Sequence, residues 1–150
     1  MQASLLGKIV AADAPRSVVL IRLMVGAVFL SEGIQKFLFA SVRGTGRFEK
    51  IGLPIPEILG PFVGSFEILC GLLVLLGLLT RLGAIPLIVI MLVALTTTKI
   101  PILMADGFWE AAHASRTDWS MLLGSIFLLI HGGGPWSLDA LFWQRGPRSP

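Results

Sequence analysis

SVVLIRLMVGAVFLSEGIQKFLFA, residues 17–40, is an apolar run of membrane-spanning length that carries three full charges, Arg22, Glu32 and Lys36. About 20 predominantly apolar residues cross roughly 30 Å of hydrocarbon. Ionisable groups inside such a run are rare and face protein or water. At about 100° per residue, with Arg22 set to zero, Glu32 falls at about −80° and Lys36 at about −40°. Gly26, Phe29 and Gly33 lie between roughly −20° and +40°. The three charges share one face with two glycines, and that face is expected to look inward.

The rest of the chain agrees with a membrane protein. Of its 150 residues 55% are hydrophobic and only 14% charged, too apolar for an ordinary soluble surface. The net charge is +3, but Lys and Arg are scattered with no block of four. Without a basic stripe interleaved with aromatics, no nucleic-acid partner is expected. Cys70, the single cysteine, can form neither an intrachain disulfide nor a thiolate cluster. His113 and His131 share no helical register that would clamp haem or a metal, so no metal site is expected. A Ser-His-Asp order, HExxH, a phosphate loop and a dinucleotide glycine motif are all missing. The start, MQASLLGKIVAADAPR, lacks a basic n-region and a sustained apolar core, and does not read as a cleaved signal peptide.

Three further runs extend the pattern, at about 58–79, 82–105 and 111–131, the last interrupted by polar residues. Left in water, Met121, Leu122, Leu123 and 126–130 would expose a costly apolar surface, so it counts as a span. Residues 41–57, with Gly44, Gly46, Gly52, Pro54 and Pro56, read as a loop, and Thr80-Arg81 as a tight hairpin. Gly132-Gly133-Gly134-Pro135 ends the last span, and 136–143 restarts as a short amphipathic helix whose tryptophans suit the membrane interface. The expected fold is thus a single all-α integral membrane domain, a four-transmembrane-helix bundle with a short interfacial C-terminal helix. Four spans place both termini on one side of a bacterial inner membrane. That side holds Lys8, Arg16, Arg81, Arg145 and Arg148 against Arg43, Arg47, Lys50 and Arg116, and the excess of one favours cytoplasmic termini.

In the second run Glu67 stands alone among apolar residues. With Glu67 at zero, Gly60, Gly64 and Gly71 fall within about 20° to 60°. Gly60 and Gly64 form a GxxxG, which permits close helix approach. The glycine face of the first run is its natural partner, so Glu67 is expected to meet Arg22 or Lys36. A charge at mid-helix opposes insertion by about 2.5 to 3.5 kcal/mol, which favours pairing. Glu32 and Lys36, four apart with the acid first, can also neutralise each other on one turn. Thr96, Thr97 and Thr98 precede Pro101, and their hydroxyls are expected to satisfy what that proline frees. Beyond lie Lys99, Asp106, Trp109, Glu110, His113, Arg116 and Asp118, a polar cap at the end where the first run finishes with Lys36.

The candidate site residues are therefore Glu67, Lys36 and Arg22 for proton handling, with Glu32, Lys99, Trp109 and His113 at a cavity mouth that could hold a quinone. Each has a bland alternative. The Glu32–Lys36 pair and Glu67 can serve folding alone, and Arg22 can snorkel to headgroups.

Arg22-xxx-Gly26-xx-Phe29-xxx-Gly33-xx-Lys36, Gly52-Leu53-Pro54, Glu67-xxx-Gly71, Gly77-xx-Thr80-Arg81, Met91-xx-Ala94 and Gly134-Pro135-Trp136-Ser137-Leu138-Asp139 together resemble the DoxX family of small four-helix bacterial membrane proteins. Their order and spacing over about 22–139 are more specific than any one of them. The resemblance implies kinship with the small subunit of a thiosulfate:quinone oxidoreductase and with a mycobacterial member of a membrane oxidoreductase complex linked to thiol-redox and superoxide defence. It carries over Arg22, Gly33, Lys36, Glu67, Gly71 and Arg81 as motif positions, and Glu32 is not among them.

Two functions follow. One is a quinone-linked oxidoreductase subunit, its electrons supplied by a partner membrane or peripheral redox protein because the chain shows no redox centre of its own. The other is a non-enzymatic accessory or scaffold subunit packed against a larger complex, or against further copies of itself, in the lipid bilayer. Transport is disfavoured, because four helices without an internal repeat are few for alternating access.

Overall fold

Proline at the start of a helix and glycine just past its end decide where the apolar runs are cut. The computed structural model describes residues 14–144, and every regular element among them is helical. Helix α1 spans Val18–Leu38, followed by the short α2 (Ala40–Arg43) and α3 (Thr45–Lys50). Helix α4 spans Pro56–Leu76. Pro56 has no amide to waste in the first turn, and Gly77 takes a left-handed φ of 68° at no steric cost. Then come α5 (Thr80–Ala94), a π turn (Leu95–Lys99) and α6 (Ile100–Asp106), continuous over 27 residues. Helix α7 (Phe108–His131) and the short α8 (Leu138–Gln144) complete the chain.

Three of these, α1, α4 and Thr80–Asp106, are long and apolar enough to cross a membrane. Helix α7 has the length, 24 residues, but carries Glu110, His113, Arg116 and Asp118 in its first half. All four long helices feed one core: Val18, Val25 and Phe29 from α1, Cys70 and Val74 from α4, Ala84, Leu87 and Met91 from α5, Met121, Leu122 and Leu128 from α7. Helix α1 packs chiefly on α4, and α5 on α7. Around this core the outer face is itself apolar, with Leu20, Leu38, Ile58, Val89, Leu123 and Ile130 all exposed. Such a surface suits lipid and not water.

The structure corrects several local expectations. Residues 41–57 are not a plain loop. Gly44 and Gly52 bracket α3, which buries Phe48 and lies so close to α4 that a Cβ on Gly60 would stand 2.9 Å from the Thr45 nitrogen. Thr80 and Arg81 form the first turn of α5, and the hairpin is Gly77–Leu79 instead. At Pro101 the break is absorbed by the π turn, in which Ile100 N–H donates to the Leu95 carbonyl. The threonine hydroxyls bond back to Leu92, Val93 and Ala94, not to the Thr97 carbonyl that the proline frees. Helix α8 begins at Leu138, two residues later than expected, because the Ser137 hydroxyl caps it by accepting the Ala140 N–H at 3.1 Å. Of the charge count, Lys8, Arg145 and Arg148 lie outside the described residues.

Candidate functional site

Four glycines bring α1 and α4 together backbone to backbone. A Cβ on Gly26 would sit 2.8 Å from the Gly71 carbonyl oxygen, one on Gly33 2.7 Å from that of Gly64, and one on Gly71 2.7 Å from the Leu30 nitrogen. Small residues at a helix crossing allow this approach, which drives association where lipid offers no hydrophobic gain. The expected pairing of the two glycine faces is what the helices do.

The approach also lets Lys36 reach Glu67. Lys36 Nζ stands 2.6 Å from Glu67 Oε2, with the two side chains only 11% and 3% exposed. Of the two cations expected to meet Glu67, Lys36 makes the contact.

Arg22 has a different destination. It is 3% exposed, so it does not snorkel, and its guanidinium donates to four backbone carbonyls: Val74 at 2.9 Å, Leu75 at 2.6 Å, Gly133 at 3.1 Å and Trp136 at 2.5 Å. Val74 and Leu75 lie in the last turn of α4, whose carbonyls have no partner within the helix. Gly133 and Trp136 belong to the glycine-rich turn after α7. One side chain thus ties the end of α4 to the segment leading into α8. Gly77 leaves the room: a Cβ there would stand 2.6 Å from Arg22 Nη2.

Asp139 completes this latch from α8. Its carboxylate accepts the Leu79 N–H at 2.8 Å and the Thr80 N–H at 3.2 Å, and its own N–H donates to Gly77. Leu79 is held at φ 48°, a left-handed conformation that costs a bulky residue and persists only where neighbours impose it. Asp139 imposes it while capping α5.

The charges of α1 therefore do not form one wall of one site. Arg22 and Lys36 are 14 residues apart, about 21 Å along the helix, and each serves its own end of the bundle. Glu32 is exposed and makes no ion pair among the described residues, because Lys36 is taken by the more deeply buried Glu67. Beside it Gln35 donates to the Ser31 hydroxyl at 2.9 Å, also on the outer face. Lys99 pairs with Asp118 at 3.2 Å and borders a cleft. Trp109, 83% exposed, packs edge-on against Phe108, and His113 lies against Arg116 on the outer face of α7. Neither borders the cleft.

Asp139 is the residue that sequence reasoning passed over, noted only within Gly134–Asp139. The available signal was its place two residues after a serine behind a Gly-Pro stop, where helix caps are found.

The sequence model of the family described as DoxX matches residues 17–100. A Mycobacterium tuberculosis protein, named as an uncharacterized membrane protein, is 53% identical over 140 residues, spanning 89% of this chain and 86% of its own. No solved structure matches the chain.

Proposed function

The chain belongs to the DoxX family of membrane proteins, and on that premise we propose that it works as a non-enzymatic accessory module, packed against a larger assembly in the bacterial inner membrane. The observation that carries this reading is a division of its polar groups. Inside the bundle Arg22, Lys36, Glu67 and Asp139 are consumed by contacts that hold helices together. Outside, exposed Ser31 and Glu32 with half-buried Gln35 form a polar stripe on a membrane-spanning helix. Glu32 lies six residues, about 9 Å, from the end of α1, and a carboxylate facing hydrocarbon there is costly. A protein partner covering the stripe removes that cost.

In this reading α7 is the fourth span. Its 24 residues measure about 36 Å, its second half enters the core and its polar first half emerges beside Lys99. Both termini then share one side, with α8 at the surface and the exposed Trp136 ahead of it under the Arg16 guanidinium. A quinone-linked redox role gains less from the geometry, since Arg22 and the Lys36–Glu67 pair line no common cavity.

Photo-crosslinking tests the module. A crosslinker at Ser31 in native membranes is expected to capture protein, whereas one at Leu123 captures lipid; lipid adducts alone at both positions would contradict the proposal. For topology, an impermeant maleimide in a Cys70→Ser background should label Lys50→Cys and Glu110→Cys from one side and Trp136→Cys from the other. Labelling of all three from one side would remove the fourth span.

A further inference from the structure

An open cleft of about 810 Å³ separates the α2–α3 segment from the π turn and the start of α6. Arg47 and Lys50 stand on one wall and Lys99 on the other, with Val42, Ile51 and Ile102 supplying apolar surface between them. Lys99 has a carboxylate partner in Asp118, at 3.2 Å. Among the described residues no carboxylate comes within ion-pair distance of Arg47 or Lys50. Of the three cations at the cleft, Lys99 alone is in an ion pair among the described residues.

Its position in the fold suggests what it meets. Helix α1 ends at Leu38 and α4 begins at Pro56, so the segment bearing Arg47 and Lys50 lies where two spans leave the hydrocarbon. Across the cleft, α6 exposes Ile100, Leu103 and Met104. Cations flanked by apolar surface at that level match a molecule with an anionic head and an apolar body. Arg offers a planar fork and Lys a point charge, both suited to phosphate oxygens. The hydroxyls of Thr97 and Thr98, which also border the cleft, already donate to the Val93 and Ala94 carbonyls. Recognition therefore falls to the cations. The wall that holds Lys99 is the π turn, an irregularity found often at functional sites.

We propose that this cleft binds a phosphate group, with Arg47 and Lys50 as its principal ligands and Lys99 as the opposing wall. The phosphate can belong to a lipid headgroup or to a soluble ion, and the test separates these sources.

The full-length protein in neutral detergent is titrated with phosphatidylglycerol, phosphatidylcholine and inorganic phosphate, followed by thermal midpoint and native mass spectrometry. Phosphatidylglycerol is expected to bind and raise the midpoint. The Arg47→Gln/Lys50→Gln variant should weaken that binding roughly tenfold or more. Arg43→Gln/Arg116→Gln, which removes two exposed cations outside the cleft, should leave it unchanged. Binding of the lipid but not of inorganic phosphate assigns the site to a headgroup, and binding of both with the same residue dependence assigns it to phosphate itself. Arg47 and Lys50 are exposed, so the double variant should keep its helix content by circular dichroism. If it does not, Lys50→Glu alone reports the same loss. No binding of either phosphatidylglycerol or inorganic phosphate, phosphatidylglycerol binding that the Arg47→Gln/Lys50→Gln variant leaves unchanged, or an equal loss in the Arg43/Arg116 variant, overturns the proposal.

Discussion

Lys36 crosses from α1 to hold Glu67 of α4 at 2.6 Å, although Glu32 stands one turn away on its own helix. The choice follows from burial. Glu67 is nearly inaccessible and too short to reach water, so leaving it unpaired costs more than leaving the exposed Glu32 without a cation.

Removing one member of this pair strands the other. Breaking a buried ion pair costs about 3–5 kcal/mol, whereas apolar residues of similar volume in both places are near neutral. Lys36→Met should lie at the costly end, since the carboxylate left behind cannot move. Glu67→Gln should cost less, because the freed lysine, already 11% exposed, can turn toward the headgroups. Unfolding in detergent should rank Lys36→Met below Glu67→Gln, with Lys36→Met/Glu67→Leu recovering most of the loss.

Arg22→Lys should not be tolerated as a conservative change. Four carbonyls at 2.5–3.1 Å are served by a planar fork, and an ammonium offers three donors from one point. A loss of about 2 kcal/mol is expected from the carbonyls left unmet. It should appear as earlier unfolding together with faster proteolysis after α7.

Gly77→Ala and Gly52→Ala separate backbone strain from the Arg22 clash. Both glycines follow a helix with positive φ, 68° and 76°, but space around Gly52 is open while a Cβ on Gly77 meets Arg22 and Ser137. Gly52→Ala should cost about 1–2 kcal/mol, and Gly77→Ala clearly more. Equal thermal midpoints for the two variants would remove the claim that Gly77 makes room for the guanidinium.

Asp139→Ala removes the acceptor for two amides and should cost about 1–2 kcal/mol, as for other lost helix caps. Asp139→Asn keeps one acceptor oxygen and should cost less. Hydrogen exchange should quicken first at the Leu79 and Thr80 amides, which the carboxylate holds.

Much of the bundle was legible because local periodicity suffices for it. The glycines of α1 and α4 fall on one face each, and that register alone predicts the seam across which Lys36 meets Glu67. The destination of Arg22 was not legible. Its carbonyl partners on Gly133 and Trp136 lie 111 and 114 residues away, in a turn whose path only the folded bundle defines. Glu32 shows the opposite error, where a favourable spacing of four residues was outweighed by a long-range contact worth more. The π turn escaped because Pro101 announces a break without saying how the backbone will absorb it.

The proposed module rests on Lys36 and Glu67 holding α1 to α4 instead of forming a reactive site. The most direct measurement titrates a short-chain, water-soluble quinone into the purified wild-type protein and into Lys36→Met/Glu67→Leu, reading affinity and thermal shift. The account predicts a folded double variant whose response to quinone matches that of the wild type. Quinone binding by the wild type that disappears in an equally stable double variant would contradict it.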